Sequence, residues 1–263
     1  MELSIVLPAI LSGAVVGFSL GLIGGGGSIL AVPLLVYVVG VTDTHLAIGT
    51  SAVAVAASAL INLLVHARAG TVKWRCAGFF AVFGVIGAAL GSTLGKLTDP
   101  ELLLGLFGGI MIIVGLAMFR RKAGGGDPDV HMSLETLRRL GPRLAFGGTL
   151  VGGLAGFFGI GGGFLVVPGL VGATAMPLLN AVGSSLVSVT AFGATTAANY
   201  ALDGFVDWAI AGLFVIGGLL GGAGGLFAAR KLAGKGRALS LVFAIVVVSV
   251  GFYVTGQSIF AAA

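Results

Sequence analysis

The sequence has very few charged residues and a single cysteine. Only 9% of its 263 residues are charged, 57% are hydrophobic, and the mean hydropathy is +1.15. A water-soluble domain of this length cannot bury so much apolar surface, so the solvent of the folded chain must be lipid. The lone Cys76 excludes an intramolecular disulfide and a cysteine-based metal cluster. Composition therefore predicts an all-α, polytopic membrane protein.

Acidic residues are absent from every apolar run that is long enough to cross a bilayer. Two uncharged runs cover residues 3–42 and 144–202, and further spans are predicted at about 44–67, 76–95, 102–119, 208–229 and 238–260. A proton-coupled transporter commonly keeps a carboxylate inside such a segment. Its absence favours either coupling through histidine or transport driven by the membrane potential. A negative cytoplasm drives an anion outward without any carboxylate relay.

A glycine-rich stretch occurs twice. It reads GLIGGGGSILAVP at residues 21–33 and GFFGIGGGFLVVP at residues 156–168. Self-similarity that extends well beyond the glycines indicates two copies of one unit, residues 1–119 and 144–263. With a one-residue gap the register continues through the pairs Thr50/Ser184, Ser51/Ser185, Gly70/Gly204 and Trp74/Trp208.

The basic residues predict the topology of these two units. If each unit contains five embedded segments, thirteen of the fourteen Lys and Arg residues fall on one side of the membrane, and only Lys96 falls on the other. The positive-inside rule makes the first side cytoplasmic, with both chain termini outside. Each glycine stretch then joins two segments, which either both cross or form a re-entrant pair. Five segments per unit make the units inverted repeats, as in many secondary transporters.

One polar insert, residues 120–143, separates the units. It reads as a cytoplasmic linker with one short interfacial helix, which Ser133 is placed to cap. The N-terminus lacks the basic region of a cleaved signal peptide, so the first apolar run is expected to be retained as a span.

The glycine stretches are the main candidates for ligand chemistry. Glycine inside a helix costs about 0.5–1 kcal/mol relative to alanine, so these runs are expected to unwind. A new helix would begin at Ser28 or Gly163, and its N-terminus would attract an anion. Close helix packing through small residues is the alternative explanation. The substrate-binding residues predicted in these stretches are Gly24, Gly25, Gly26, Gly27, Ser28, Gly159, Gly161, Gly162 and Gly163.

Polar side chains inside the spans complete the predicted site. The hydroxyl pairs Thr50-Ser51 and Ser184-Ser185 either coordinate anion oxygens or hydrogen-bond to carbonyls of their own helices. Asn62 and Asn199 either line the site or hold helices together. His45 and His66 flank one span, where placement at the surface is the simpler expectation.

Several other functions are disfavoured. No GK[ST] follows the glycines, and no dinucleotide-binding spacing is present. The net charge of +5 is explained by topology rather than by nucleic acid. No cofactor or metal is predicted. The expected partners are a small anionic substrate and the lipid bilayer, and a homodimer is left open.

The two motifs, read as G-x-G-G-[GS]-x-[IFL]-x-V-P, resemble those of the TauE/SafE family of membrane transporters. The first runs from Gly24 to Pro33 and the second from Gly159 to Pro168. The resemblance covers nearly the whole chain. It implies an inner-membrane secondary transporter that exports sulfite or an organosulfonate such as sulfoacetate, although some family members take up sulfur compounds.

The expected mechanism is alternating access, with one half of the chain rocking against the other. An anion channel or an uptake permease for a sulfur compound or a carboxylate is the alternative. A membrane enzyme is disfavoured, because the spans contain no carboxylate pair, metal cluster or activated nucleophile.

Overall fold

The computed structural model describes residues 3–23, 25–120, 134–231 and 236–262, and these residues form helices joined by short loops. The helical segment at 25–39, called α2, combines a 3₁₀ helix (Gly25–Leu30), an α-helical turn (Ala31–Leu34) and a π-helical turn (Leu35–Val39). The other helices are α1 (Leu3–Ile23), α3 (Thr44–Arg68), α4 (Trp74–Leu97), α5 (Pro100–Arg120), α6 (Leu134–Phe158), α7 (Gly163–Thr174), α8 (Leu178–Leu202), α9 (Trp208–Lys231) and α10 (Gly236–Ala262).

Apolar side chains cover the outside of this bundle as well as its core. Among the described residues, seven helices are long and apolar enough to cross a membrane. Leucines and phenylalanines such as Leu90, Leu94 and Phe252 are more than half exposed. Buried hydroxyl-bearing side chains in the described ranges are serines, threonines and Tyr200, and no charged side chain there is fully buried. The prediction of a polytopic helical membrane protein is confirmed, because a water-soluble protein would show the reverse distribution.

Both glycine stretches interrupt a helix, but in different ways. In the second copy the backbone unwinds after Phe158, where Gly159, Gly161 and Gly162 adopt φ of +67°, +60° and +70°, and α7 then begins at Gly163. In the first copy, helical structure resumes at Gly25 as a 3₁₀ helix. The predicted helix start at Ser28 is therefore wrong, because Ser28 already lies inside that 3₁₀ helix, a tighter form that suits short pieces at helix ends.

The segment after each break is shorter than a membrane span. The first uncharged run predicted two spans of about 20 residues, whereas the apolar helix after its break covers only Gly27–Val39. Its counterpart, Gly163–Thr174, has 12 residues. At 1.5 Å per residue this helix is about 18 Å long, against a hydrocarbon thickness of about 30 Å. Each break therefore joins one long helix to one short helix.

Each of the main helix pairs combines one helix from the first unit with one from the second. α1 packs on α9 and α6 packs on α4, while α3 pairs with α8 and α5 with α10. A Cβ built on Gly17 of α1 would lie 2.0 Å from the carbonyl oxygen of Gly218 on α9. A Cβ built on the repeat-equivalent Gly152 of α6 would lie 2.0 Å from the carbonyl oxygen of Gly84 on α4. The two units therefore make the same backbone-to-backbone contacts.

Equivalent helices of the two units run in opposite directions. Gly49 near the start of α3 lies beside Tyr200 at the end of α8, whereas His66 at the end of α3 lies beside Gly183 near the start of α8. α5 and α10 are likewise antiparallel. This geometry is that of an inverted repeat and confirms the predicted parity of the segments.

The predicted interfacial helix in the linker is not a separate element. α6 runs without interruption from Leu134 through Pro142 to Phe158, so the helical part of the linker is the first part of the next membrane helix. Pro142 forfeits one backbone hydrogen bond but does not end the helix. The predicted cap, Ser133, lies outside the described residues, as do residues 121–132.

Candidate functional site

The second break lies in the core against α3 and α8. A Cβ built on Gly159 would lie 2.1 Å from Cγ2 of Ile48, and one built on Gly161 would lie 2.9 Å from Cγ1 of Val55. On the α8 side, the same position at Gly161 is 3.3 Å from Val189. All residues from Gly159 to Gly163 are buried. Glycine is required here both for its positive φ and for the close approach of the two central helices.

Ser51 connects this break to the first unit. Its Oγ lies 2.8 Å from the carbonyl oxygen of Ile48 and 3.1 Å from that of Gly159, so one hydroxyl proton is shared between its own helix and the break. The equivalent Ser185 donates to the carbonyl of Val182 at 2.7 Å. Both serines therefore make the hydrogen bond to their own helix that the sequence analysis gave as the alternative to substrate binding. Substrate binding by Ser51 and Ser185 stays a prediction.

The first break meets the second inside the bundle. Gly27 packs so closely on α1 that a Cβ would lie 2.5 Å from the backbone nitrogen of Leu20. Ser28 is fully buried, and the 3₁₀ part of α2 packs on α7. Of the predicted site residues in this break, Gly24 lies outside the described residues. The structure thus brings the two glycine stretches together, as the inverted repeat predicts.

Thr50 and Ser184 hold the start of a neighbouring helix. The Oγ1 of Thr50 accepts a hydrogen bond of 3.0 Å from the backbone N–H of Asp207, the N-cap residue of α9. The Oγ of Ser184 accepts one of 2.9 Å from the backbone N–H of Lys73, the N-cap residue of α4. Both hydroxyls are fully buried, and the two bonds are equivalent in the repeat. A scaffold role is therefore visible, while substrate contact stays a prediction.

Removing either hydroxyl should destabilise the protein. Thr50→Val and Ser184→Ala each delete the acceptor of a bond between helices, so we expect each to lower the free energy of unfolding by about 1 kcal/mol. The measurement is the melting temperature of the purified protein in detergent. Thr190→Val is the matched control, because Thr190 bonds only to the carbonyl of Leu186 in its own helix. Melting temperatures equal to that of the control would contradict the scaffold role.

The two asparagines make different contacts. Asn62 is half-buried, and its Nδ2 donates to the carbonyl of Ser58 one turn earlier, at 2.9 Å. Asn199 instead reaches across to α4, where its Nδ2 donates to Ser92 Oγ at 2.6 Å and to Thr93 Oγ1 at 3.0 Å. Asn199 thus joins α8 to α4, and Asn62 bonds within α3.

Lys96 is a polar residue whose role the sequence reasoning missed. Its side chain is only 14% exposed. Its Nζ donates to Asn199 Oδ1 at 2.9 Å and to Asp203, with which it forms an ion pair. The signal was present, since Lys96 is the one basic residue that falls on the acidic side of the predicted topology. This cluster fastens α4 to α8 where both helices end.

The histidines are less exposed than expected. His45 is half-buried, with its ring 5.5 Å from that of Phe205 and 6.3 Å from that of Tyr200. His66, also half-buried, has its Nδ1 at 2.9 Å from Thr71 Oγ1. The expectation of surface placement therefore holds only in part. The loop after α8 covers His45, whereas Thr71 of the α3–α4 loop and Gly183 of α8 cover His66. In the described ranges, no three His, Cys, Asp or Glu side chains gather as metal ligands would.

The fold and the paired breaks are those of a multi-pass membrane protein with inverted repeats, and proteins similar to this chain are named as membrane transporters. The description "Sulfite exporter TauE/SafE" belongs to the family that matches residues 9–254. The chain therefore belongs to the TauE/SafE family.

Similar proteins carry names of the same kind. A probable membrane transporter protein of Xylella fastidiosa (strain 9a5c) is 49% identical over 98% of both chains. The probable membrane transporter protein YunE of Bacillus subtilis is 28% identical, over 94% of this chain and 96% of its own. MJ0441 of Methanocaldococcus jannaschii, also a probable membrane transporter protein, is 26% identical over 73% of this chain and 72% of its own. No solved structure matches. These names indicate a membrane transporter rather than an enzyme.

Proposed function

We propose that this protein is a secondary transporter that exports a small sulfur-containing anion, such as sulfite or a sulfoacetate-like organosulfonate. The observation that carries the proposal is the meeting of the two glycine breaks inside the bundle, against the central α3/α8 pair. Discontinuous helices from inverted repeats form the substrate sites of many secondary transporters. The family description supports sulfite or a related anion as the substrate.

The electrostatics of the core suit an anion. α7 begins at Gly163 beside the break, and the first N–H groups of a helix have no acceptor within that helix. The helix dipole places partial positive charge at the same point. Buried hydroxyls among the described residues belong to serines, threonines and Tyr200, and no carboxylate is buried with them to repel the substrate. Backbone donors and hydroxyls of this kind can replace the hydration of a sulfite or sulfonate group.

The moving parts in this proposal differ from the two sequence units. Glycine contacts fasten α1 to α9 and α6 to α4 across the units, so rocking of one unit against the other would have to break both contacts. We place the motion between two mixed bodies, α1 with α3 and α9, and α6 with α4 and α8. The α3/α8 contact and the two breaks lie at their interface. Alternating access then exposes the breaks to each side in turn.

The direction of transport follows from the membrane potential. In the proposed orientation, residues 120–143 are cytoplasmic, both termini are outside, and the protein lies in the inner (plasma) membrane. A cytoplasm-negative potential moves the equilibrium of an anion outward by about 2.3 kcal/mol per charge per 100 mV, or roughly 50-fold. Export therefore needs no proton relay.

Flux from proteoliposomes tests both the substrate and the direction. Vesicles are loaded with sulfite, sulfoacetate or acetate, and a potassium diffusion potential makes the lumen negative. We expect efflux of the sulfur anions to accelerate with the potential and to exceed acetate efflux, with protein-free vesicles as the control. An efflux rate that does not change with the potential would overturn the potential-driven mechanism. Preference for acetate would overturn the sulfur assignment, and unitary single-channel currents would identify a channel instead.

A further inference from the structure

Several buried hydroxyl groups have no hydrogen-bond partner among the described residues. Three of them belong to one helix, α8: Ser188 Oγ, Thr196 Oγ1 and Tyr200 Oη. All three residues are 0% exposed. An unpaired buried hydroxyl costs about 1–3 kcal/mol, so native proteins pair nearly all of them. Three such groups in one helix are hydrogen-bond donors that a bound ligand could use.

The three residues lie along one ridge of α8. Their positions differ by multiples of four, and Phe192 fills the remaining position of the row. Residues spaced by four form a ridge that turns by about 40° around the helix at each step, so Ser188 and Tyr200 are about 120° apart around the axis. Elsewhere on α8 the usual pairing occurs, because Thr190 and Thr195 donate to the carbonyls of Leu186 and Ala191 at 2.8 Å. The lack of a partner is thus not a general property of threonine in this helix.

Two positions of this ridge contact α4, and one of them also lies beside the second break. Phe192 packs against Gly84 of α4 and lies 3.6 Å from the Cβ position of Gly162. Two steps of four residues further along α8, the Oη of Tyr200 lies 3.1 Å from the Cβ position of Gly95, near the end of α4. The row therefore starts at the level of the break and ends where α4 and α8 end.

Lys96, which is ion-paired with Asp203, lies at the far end of the row. Its Nζ lies 5.9 Å above the ring of Tyr200. Its own hydrogen bonds go to the side-chain oxygen of Asn199 at 2.9 Å, the backbone carbonyl of Asn199 at 3.1 Å, and Asp203. The Nδ1 of His45, whose ring faces that of Tyr200, is a further buried polar atom without a partner.

We propose that Ser188, Thr196 and Tyr200 form a hydroxyl track that donates hydrogen bonds to the transported oxyanion between the second break and one face of the membrane. The inference rests on the proposed function and specifies the residues that contact the substrate. Thr196 and Tyr200 are about 6 Å apart along the helix axis, a separation that one oxyanion can bridge. Ser188 is about 18 Å from Tyr200, so the three residues mark a path and not a single site.

The inverted repeat supplies the matching half of the path. The positions of α3 equivalent to Phe192, Thr196 and Tyr200 are the polar residues Ser58, Asn62 and His66, whereas the position equivalent to Ser188 is Ala54. Ser58 and Asn62 face α9, as the α8 row faces α4, since they lie beside Gly218 and Gly222. Because α3 and α8 are antiparallel, the two rows lead towards opposite faces of the membrane.

Removing the hydroxyls tests the track. Tyr200→Phe and Thr196→Val keep the shape of each side chain, and each is expected to raise the KM of sulfoacetate efflux about tenfold. Their melting temperatures should stay the same or rise, because an unpaired buried hydroxyl is removed. Thr195→Val and Thr190→Val are the matched controls and should leave KM unchanged. Thr196→Ser, which keeps the hydroxyl, should restore the KM.

The outcomes separate this inference from the proposed function. If the wild-type protein exports acetate but no sulfur anion, the substrate assignment fails, and the same variants measured with acetate decide the track. If the wild-type protein exports sulfoacetate and all variants match the controls in KM, the track is overturned and the proposed function stands. A fall in melting temperature without a change in KM would show that the hydroxyls have a structural role only.

Discussion

Gly161→Leu is expected to abolish anion efflux while the protein still folds and inserts into the membrane. Gly161 has φ of +60°, and a Cβ at this position would lie 2.9 Å from Cγ1 of Val55. The rest of a leucine side chain would occupy the space where the break faces α3 and α8. The substrate path would be filled, and the two central helices could no longer approach each other during the transport cycle. Efflux of sulfoacetate per inserted protein should fall to that of empty vesicles.

Gly70→Leu is the matched control for this substitution. Gly70 has φ of +68°, so it imposes the same backbone strain of about 1–2 kcal/mol, but nothing lies within 4 Å of its Cβ position. We expect efflux close to wild type from this variant. If Gly161→Leu also transports normally, the substrate site lies away from the second break. If both variants lose transport equally, backbone strain and not the occupied path is the cause.

Gly152→Leu and Gly17→Leu are expected to prevent folding, and to do so equally. In each case the new Cβ would lie 2.0 Å from a backbone carbonyl oxygen of the partner helix, which cannot rotate away as a side chain could. The helix pairs would have to separate along several turns, at a cost of at least about 3 kcal/mol. The measurement is the yield of monodisperse protein in detergent, with the melting temperature of any that remains.

The control for these two variants is Gly109→Leu on α5, where nothing lies within 4 Å of the Cβ position. It should give a normal yield. Equal losses in Gly152→Leu and Gly17→Leu would reflect the repeat symmetry of the α4/α6 and α1/α9 pairs. Normal folding of either variant would mean that its helix pair is more loosely packed than the structure shows.

Much of the fold follows from the sequence because hydropathy and charge act locally. The span predicted at 44–67 agrees with α3, Thr44–Arg68, within one residue. Asp43 before this apolar run and the basic residues after it mark its two ends in the sequence. Repeat register and the odd number of segments predicted the antiparallel relation of α3 and α8, since insertion direction alternates along the chain. The position of the second break at Gly159–Gly163 was predicted from its clustered glycines, which are also read along the chain.

Other features depend on contacts between distant residues and were wrong or missed. The linker helix and the following span form one helix through Pro142, because proline lowers but does not remove helical stability once the helix is held by packing. The first break resumes as a 3₁₀ helix at Gly25 although its sequence closely resembles the second. The hydroxyls of Thr50 and Ser184 accept hydrogen bonds from the backbone N–H groups of N-cap residues of neighbouring helices. No local sequence pattern can predict an acceptor that is more than a hundred residues away from its donor.

By itself, the sequence determined that this protein lies in a membrane and that it contains a repeat. It also determined that equivalent helices of the two units run in opposite directions, and where the glycine breaks lie. These properties are set by transfer free energies, charge and glycine content, all of which are read along the chain. The tertiary structure alone decided which helices pair across the units and which hydroxyls are left without a partner. A hydrogen bond between distant residues depends on distances of a few tenths of an ångström, which only the packed bundle defines. The row of Ser188, Thr196 and Tyr200 on α8 could therefore be identified only from the tertiary structure.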